Sequence, residues 1–282
     1  MVAKSTDYGC GRKVKRREVL ERKKSIEGII GAASSLKDHL SCFPQFRHYH
    51  KNGLYIHLES VRGNKLSLYA KRYVQELLKL NMEAPYGPEW PAEEKIKRRE
   101  MISEEARYIF VHEISNKDSV KVSDLIGKRR TCNCSGPIIG FVHYRFIMAE
   151  EVPVVYVYEL QLEPRVQGKG IGKILMQLVE LIACENKMGA VVLTVQRTNS
   201  PAMDFYIGKL RWLCFATSTS SRHSYSHLYP YVLCFTRYSI SAISPSRVDP
   251  LGVQKSYEIL CKTFDHEARV ILEAAQDTAV DA

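Results

Sequence analysis

No stretch of the 282 residues approaches the roughly 20 uninterrupted apolar residues that a membrane-spanning helix requires, and no apolar signal core follows the basic N-terminal residues. A soluble, intracellular chain with no membrane partner is expected. Zinc-knuckle spacing is missing too: Cys10, Cys42, Cys132, Cys134, Cys184, Cys214, Cys234 and Cys261 form no C-x-x-C pair and have no histidines at ligand spacing. Reduced, structural thiols and no metal are expected, since the lone C-x-C of Cys132 and Cys134 lacks further ligands. The chain also has neither the dinucleotide pattern G-x-G-x-x-G nor the G-K-Ser/Thr ending of a P-loop, which excludes the two commonest nucleotide-phosphate motifs.

What is present is a core-forming share of apolar residues, 45%, and a net charge of +10 concentrated at the front. Between Lys4 and Lys24, Arg12, Lys13, Lys15, Arg16, Arg17, Arg22, Lys23 and Lys24 outweigh Asp7, Glu18 and Glu21. Residues 1–24 therefore read as a solvated basic arm: a nuclear-import signal, a nucleic-acid contact to chromatin or ribosome, or simply a mobile extension. Residues 25–278 read as one domain, interrupted near 115–137 and 212–237 by segments without periodicity.

Helical spacing of apolar residues predicts helices over Ser25–Leu40, Leu66–Leu80, Glu93–Glu105 and from Gly172 onward. Strands are expected at Leu54–Ser60, Arg107–Glu113, Ile138–Met148, Val154–Leu162, Ala190–Val195 and Tyr257–Thr263. Pro85, Gly87, Pro88 and Pro91 predict an irregular aromatic loop over Ala84–Ala92 carrying Tyr86 and Trp90. Asn199 is a candidate N-cap before Pro201 for a helix ending near Lys209, and a last helix is expected over Asp265–Gln276. The alternation of strands and helices indicates an α/β (α+β) fold with a mixed sheet.

The chemistry concentrates after the strand Val154–Leu162, where Arg165-Val-Gln-Gly168-Lys169-Gly170-Ile171-Gly172-Lys173 opens a helix. A glycine turn feeding a helix start aims backbone N–H groups and the positive helix end at one spot, which suits a pyrophosphate; close helix packing is the other use of such glycines. Arg165-x-x-Gly168-x-Gly170 resembles the acetyl-CoA signature Gln/Arg-x-x-Gly-x-Gly/Ala of GNAT acetyltransferases. Asn199, Ala202, Phe205 and Tyr206 resemble that family's Asn-x-x-Ala-x-x-Phe-Tyr helix. Within the family, Tyr156-Val-Tyr158-Glu159-Leu160-Gln161-Leu162-Glu163, with Tyr86, Trp90, Arg145-Phe146 and Ser256-Tyr257-Glu258-Ile259-Leu260, resembles the NatD type of N-terminal acetyltransferase.

That resemblance implies the GNAT acyl-CoA N-acyltransferase fold, with a splay between the family's fourth and fifth strands, and acetyl-CoA as cosubstrate. The Leu160, Gln161 and Leu162 backbone would face pantetheine, and Gly168 to Lys173 and Asn199 would line the rest of the cofactor. Glu159, a charge inside an apolar strand, is the expected general base, with Tyr158 beside it. Strand alternation puts Tyr158 and Glu159 on opposite faces, so a bulge is expected there. Tyr206 is either the thiolate's proton donor or core. Tyr86, Trp90, Tyr158, Thr194 and Tyr257 would hold a peptide N-terminus, that of histone H4 and histone 2A (Ser-Gly-Arg-Gly), by a monomer acting in nucleus and cytoplasm. The family's hairpin acids are replaced by Ile147 and Ala149, with Glu150 and Glu151 beyond as possible substitutes. A GNAT enzyme for a small amine or lysine, or an impaired binding module, are the other readings.

Overall fold

A computed structural model describes residues 8–51, 53–114, 136–211, 237–249 and 255–273. The two expected insertions fall almost wholly outside these residues, and with them Cys132, Cys134, Cys214 and Cys234.

The first helix, α1, spans Tyr8–Ser35 and so begins well before the expected Ser25. Its first half has no apolar face to reveal it by periodicity, yet its Lys, Arg, Glu and Leu residues favour helix and no proline interrupts them. Strands β1 (His48–Lys51) and β2 (Leu54–Arg62) follow. Helix α2 (Leu68–Tyr86) is capped by Ser67, whose hydroxyl accepts from the Ala70 N–H, and it runs through Pro85. The aromatic loop expected over Ala84–Ala92 is thus a correction: only Gly87–Glu89, one 3-10 turn, separates α2 from α3 (Trp90–Met101). Pro85 sits in the last turn of α2, while Pro88 and Pro91 occupy first-turn positions, where a missing N–H costs nothing.

Strands β3 (Arg107–Glu113), β4 (Ile138–Ala149) and β5 (Val152–Leu162) lead to α4 (Ile171–Glu185) and β6 (Ala190–Gln196). The chain continues through α5 (Ser200–Met203), a π-helical turn at Asp204–Gly208, β7 (Ser239–Ile240), α6 (Pro245–Val248), β8 (Tyr257–Thr263) and α7 (His266–Leu272). The strands form one mixed sheet in the order β1-β2-β3-β4-β5-β6-β8-β7, parallel only between β5 and β6.

Periodicity explains the layers. On one face Val155, Val157, Val191 and Leu193 meet α1 and α4, whose Leu175, Leu178, Val179 and Ile182 are fully buried; each such side chain contributes about 1.5–3 kcal/mol. On the other face α2 and Met101 of α3 cover Tyr108, Phe110 and Phe141, while α7 covers Val192 and Cys261. Tyr156, Tyr158, Thr194, Ile259 and Tyr257 lie on the strands between these two covers and keep part of their surface exposed.

At Gly140 β4 and β5 come close: an added Cβ would lie 2.7 Å from the Gln161 carbonyl and 2.4 Å from a Leu162 methyl. Gly140→Ala should therefore destabilise the fold by about 1–3 kcal/mol, the cost of overpacking, read as a lowered melting temperature.

Candidate functional site

The site begins as a fault in strand pairing. His143 lies opposite Glu159 but Tyr144 lies opposite Val157, so Tyr158 is the extra residue of a β-bulge, as the strand parity of Tyr158 and Glu159 demanded. Pairing of β5 with β6 runs from Val154–Ala190 to Val157–Leu193 and stops there. Beyond it β5 stays with β4, and Thr194–Gln196 stay with Tyr257–Ile259 of β8. A wedge therefore opens at Tyr158 and Thr194, and among the described residues no strand lies beside the β5 edge at Leu160–Leu162 that faces it.

Glu159 stands at the mouth of this wedge and is only 9% exposed. Lys97 of α3 makes a close ion pair with Oε1, and Gln161 Nε2 donates to Oε2 at 2.9 Å. Gln161 is itself held by Asn81 Nδ2, 2.9 Å from its Oε1. Lys97 also lies 5.3 Å from the centre of the Tyr86 ring. Burial, the largest single influence, opposes its charge, but Glu159 and Tyr86 together outweigh it and hold the ammonium above the usual lysine range. Glu100, one turn along α3, has its carboxyl pushed up by burial, with Lys97 and Arg145 opposing.

Aromatic rings wall the site. The imidazole of His143 is stacked between Tyr108 (4.8 Å) and Tyr158 (4.9 Å), and burial, then Arg145 and Lys97, keep it neutral. The guanidinium of Arg145 lies 4.5 Å from the Tyr158 ring centre and donates to the Glu100 carbonyl at 2.6 Å. Tyr156 packs 5.1 Å from Tyr158 and its hydroxyl bonds to Thr194 Oγ1. Tyr257 closes the row at the end of β8, opposite Gln196.

Below the wedge, the glycine turn divides its labour. Gly168 (φ 72°) and Gly170 (φ 87°) have open space where a Cβ would go, so backbone angle is what requires glycine there. At Gly172 an added Cβ would stand 3.3 Å from the Phe205 ring, so that glycine admits a neighbour. Gly170 caps α4 without a side chain, which leaves the first N–H groups of the helix available to an anion. A pyrophosphate with a pantetheine arm fits this arrangement of amides and free strand edge.

Other expected cofactor contacts are reduced to backbone: Ile171 is buried in the core, and the Gln161 side chain is committed to Glu159 and Asn81. Asn199 accepts from the Ala202 N–H at 3.3 Å and serves as a helix cap. Arg165 is paired with Glu113 and Glu163, each at 2.7 Å. Lys169 is exposed and Lys173 half-buried. Among the substrate candidates, Tyr86, Tyr158, Thr194 and Tyr257 keep accessible surface, whereas Trp90 is 3% exposed and its indole N–H has no acceptor among the described residues. Trp90 packs beneath Tyr86 at 5.9 Å and so acts as its support.

One correction concerns the hairpin acids. Glu150 and Glu151 form the β4–β5 turn at positive φ, and Val152, the next residue, is about 23 Å along the strand from Glu159 at ~3.3 Å per residue. Glu151 instead faces Arg22 of α1 at 4.0 Å, so these acids do not stand in for the missing pair at Ile147 and Ala149. Tyr206 is buried, and its hydroxyl has no hydrogen-bond partner among the described residues; burial, then Glu159, raises its pKa and keeps it protonated.

Lys97, Glu100, His143 and Asn81 were not anticipated. For Lys97 a signal existed: it lies seven residues after Trp90 and four before Met101, on the buried stripe of α3. Nothing in the sequence pairs His143 with Glu159, because strand register sets that contact.

Residues 74–210 match the family model described as Acetyltransferase (GNAT) family. The fold is similar to PaiA N-acetyltransferase from Thermoplasma acidophilum in complex with coenzyme A (16% identity, 74% of this chain and 99% of that one, TM-score 0.42). It is also similar to an acetyltransferase from Streptococcus agalactiae (12%, 73% and 98%, 0.40). A third similar structure is a ribosomal-protein-alanine N-acetyltransferase from Brucella melitensis (15%, 60% and 99%, 0.36).

Because Gly168 and Gly170 hold left-handed angles, Gly170→Val should weaken coenzyme A binding about tenfold or more by distorting the amide cradle. Calorimetric titration with coenzyme A checks this, and unaltered affinity would place the pyrophosphate elsewhere.

Proposed function

We propose that the chain, whose residues 74–210 match the GNAT family of acetyltransferases, draws acetyl from acetyl-CoA, and that its acceptor is the α-amine of a peptide N-terminus, of the Ser-Gly-Arg-Gly type found on histone H4 and histone 2A. The observation that carries this reading is the coincidence, at one bulge, of a buried carboxylate, an open strand edge and a row of tyrosines. Tyr86, Tyr158, Thr194 and Tyr257 offer an amphipathic wall to a short extended peptide, in the pattern that resembles NatD. Glu100 and Glu105, which both act on Tyr158 and of which Glu105 pairs with Arg145, are acids that a basic third residue could meet beside this wall.

Acetyl-CoA supplies an acetyl group on a thioester whose carbonyl carbon accepts the amine nitrogen as the carbon–sulfur bond breaks. The α4 N-terminus and the glycine turn hold the pyrophosphate, and the free β5 edge at Leu160–Leu162 orients the pantetheine amides. Glu159 takes the proton shed by the attacking amine, through a water, because the ionised carboxylate is the basic group at the wedge mouth. Tyr206, neutral and unpartnered, is the donor for the leaving sulfur. The one π-helical turn of the molecule's described residues carries Tyr206, and such turns recur where a helix re-aims a functional side chain.

Every residue from Arg16 to Ser25 of α1 is exposed, and although Arg22 pairs with Glu151 and Glu267, Arg16, Lys23 and Lys24 present their charge for nuclear import or for contact with chromatin or ribosome. Location in nucleus and cytoplasm belongs to the same proposal. One observation favours a second reading: both oxygens of Glu159 are already engaged, by Lys97 and Gln161, as in a site that binds coenzyme A and peptide without turnover.

Incubation with a Ser-Gly-Arg-Gly peptide and acetyl-CoA, read by mass spectrometry, separates them. We expect acetylation at the α-amine, and a loss of about 10²–10⁴-fold in turnover for Glu159→Gln with coenzyme A affinity retained. Acetylation confined to lysine or small amines would remove the substrate class; binding of both partners without any product would establish the second reading.

A further inference from the structure

An ammonium on the buried stripe of a helix is costly unless something compensates it, because desolvation of an unpaired lysine amounts to several kcal/mol. Lys97 occupies such a place, with its side chain 12% exposed between Trp90 and Met101 on α3. The compensation is specific. Its Nζ meets one oxygen of Glu159 and lies 5.3 Å from the centre of the Tyr86 ring. The other oxygen of Glu159 is held by Gln161, which Asn81 of α2 holds in turn. Glu159 is thus clamped from α3 and, through Gln161, from α2, beside the bulge.

We propose that Lys97 is a positioning residue for acetyl transfer, its ammonium fixing the orientation and the charge of the Glu159 carboxylate that takes the substrate's proton. The inference rests on the reading of Glu159 as base given above. The groups that face Glu159 are Tyr86 from α2, Lys97 and Glu100 from α3, Tyr108 from β3, His143 and Arg145 from β4, Tyr158 and Gln161 from β5, and Tyr206 after α5. His143 and the buried tyrosines are neutral near pH 7, so they bring no positive charge to balance the carboxylate. Arg145 is turned to the Tyr158 ring, the Glu100 carbonyl and Glu105. Glu100 carries the same sign as Glu159 and opposes its charge. Among the described residues Lys97 is the cation in contact with Glu159. Without it, a carboxyl this buried would bind its proton at higher pH and would be free to rotate away from the wedge.

The sign follows. A nearby positive charge lowers a carboxyl's proton affinity, so its removal raises it, and the acid limb of the rate profile must move to higher pH. We would measure kcat and kcat/KM from about pH 5 to 10 on the full chain with a Ser-Gly-Arg-Gly peptide. Lys97→Met should lower kcat about tenfold or more at neutral pH, with KM for acetyl-CoA changed less than about threefold, and should move the acid limb up by about one unit or more. Lys97→Arg should restore part of both. Lys97→Gln keeps a donor to Glu159 and loses only the charge, so it carries the same test where the methionine variant does not fold. Lys97→Met combined with Glu159→Gln should regain thermal stability lost in Lys97→Met without regaining turnover. An acid limb left at its wild-type position in Lys97→Met or Lys97→Gln, with Glu159→Gln inactive, would overturn the positioning role alone. A fully active Glu159→Gln would overturn both the base and its clamp.

Discussion

Strand β5 cannot belong to both its neighbours along its whole length, and the rest of the site depends on that. One extra residue, Tyr158, shifts the β4 register between His143 and Tyr144, and at the same point β5 and β6 part. A bulge increases local twist, so the strand that leaves it no longer runs beside its parallel partner. The consequences are chemical: an open strand edge that accepts amides, a floor split between β4 and β8, and a carboxylate brought to the same face and the same gap as Tyr158.

That gap would close or flood without its walls. The α4 side packs through Ile171, Leu175 and Val179 into the main core, and this fixes where the N-terminus of α4 points. Gly172 lets Phe205 approach that helix, so the turn carrying Tyr206 is tied to the amides at the helix start. On the other side α2 and α3 are joined by a single 3-10 turn, which brings Asn81, Tyr86 and Lys97 to bear on Gln161 and Glu159 together. Burying an ion pair costs desolvation, and such pairs add little stability compared with apolar packing. Its presence here is better understood as a constraint on one carboxylate than as a fold-stabilising device.

The hairpin between β4 and β5 shows how far strand geometry reaches. Ile147 and Ala149 pack toward Val154 and the β8 side of the sheet, whereas Glu150 and Glu151 turn at the tip beside Arg22. Shifting an acid by a few positions along a strand moves it by whole strand spacings, not merely to the next side chain. The chemistry offered to a peptide's third residue is therefore different from what the composition of the hairpin suggests.

Residue order alone determined the strands over Arg107–Glu113 and Tyr257–Thr263 to the residue, the amphipathic face of α4, the Asn199 cap and the glycine turn, because these are local: period, cap chemistry and φ requirements act within a few residues. The bulge at Tyr158 was legible as well, since strand parity forbids Tyr158 and Glu159 one pocket in a regular strand. Local rules misjudged Ala84–Ala92, where proline at helix ends was mistaken for proline inside, and α1, whose first half has no apolar face to betray it. Only the tertiary structure decided that Lys97 meets Glu159, that His143 is stacked between two tyrosines and that Trp90 supports Tyr86 from beneath. Lys97 and Glu159 are 62 positions apart, and His143 is 35 from Tyr108 and 15 from Tyr158, so these contacts depend on strand register and helix docking, which packing of the whole core sets and no local pattern encodes.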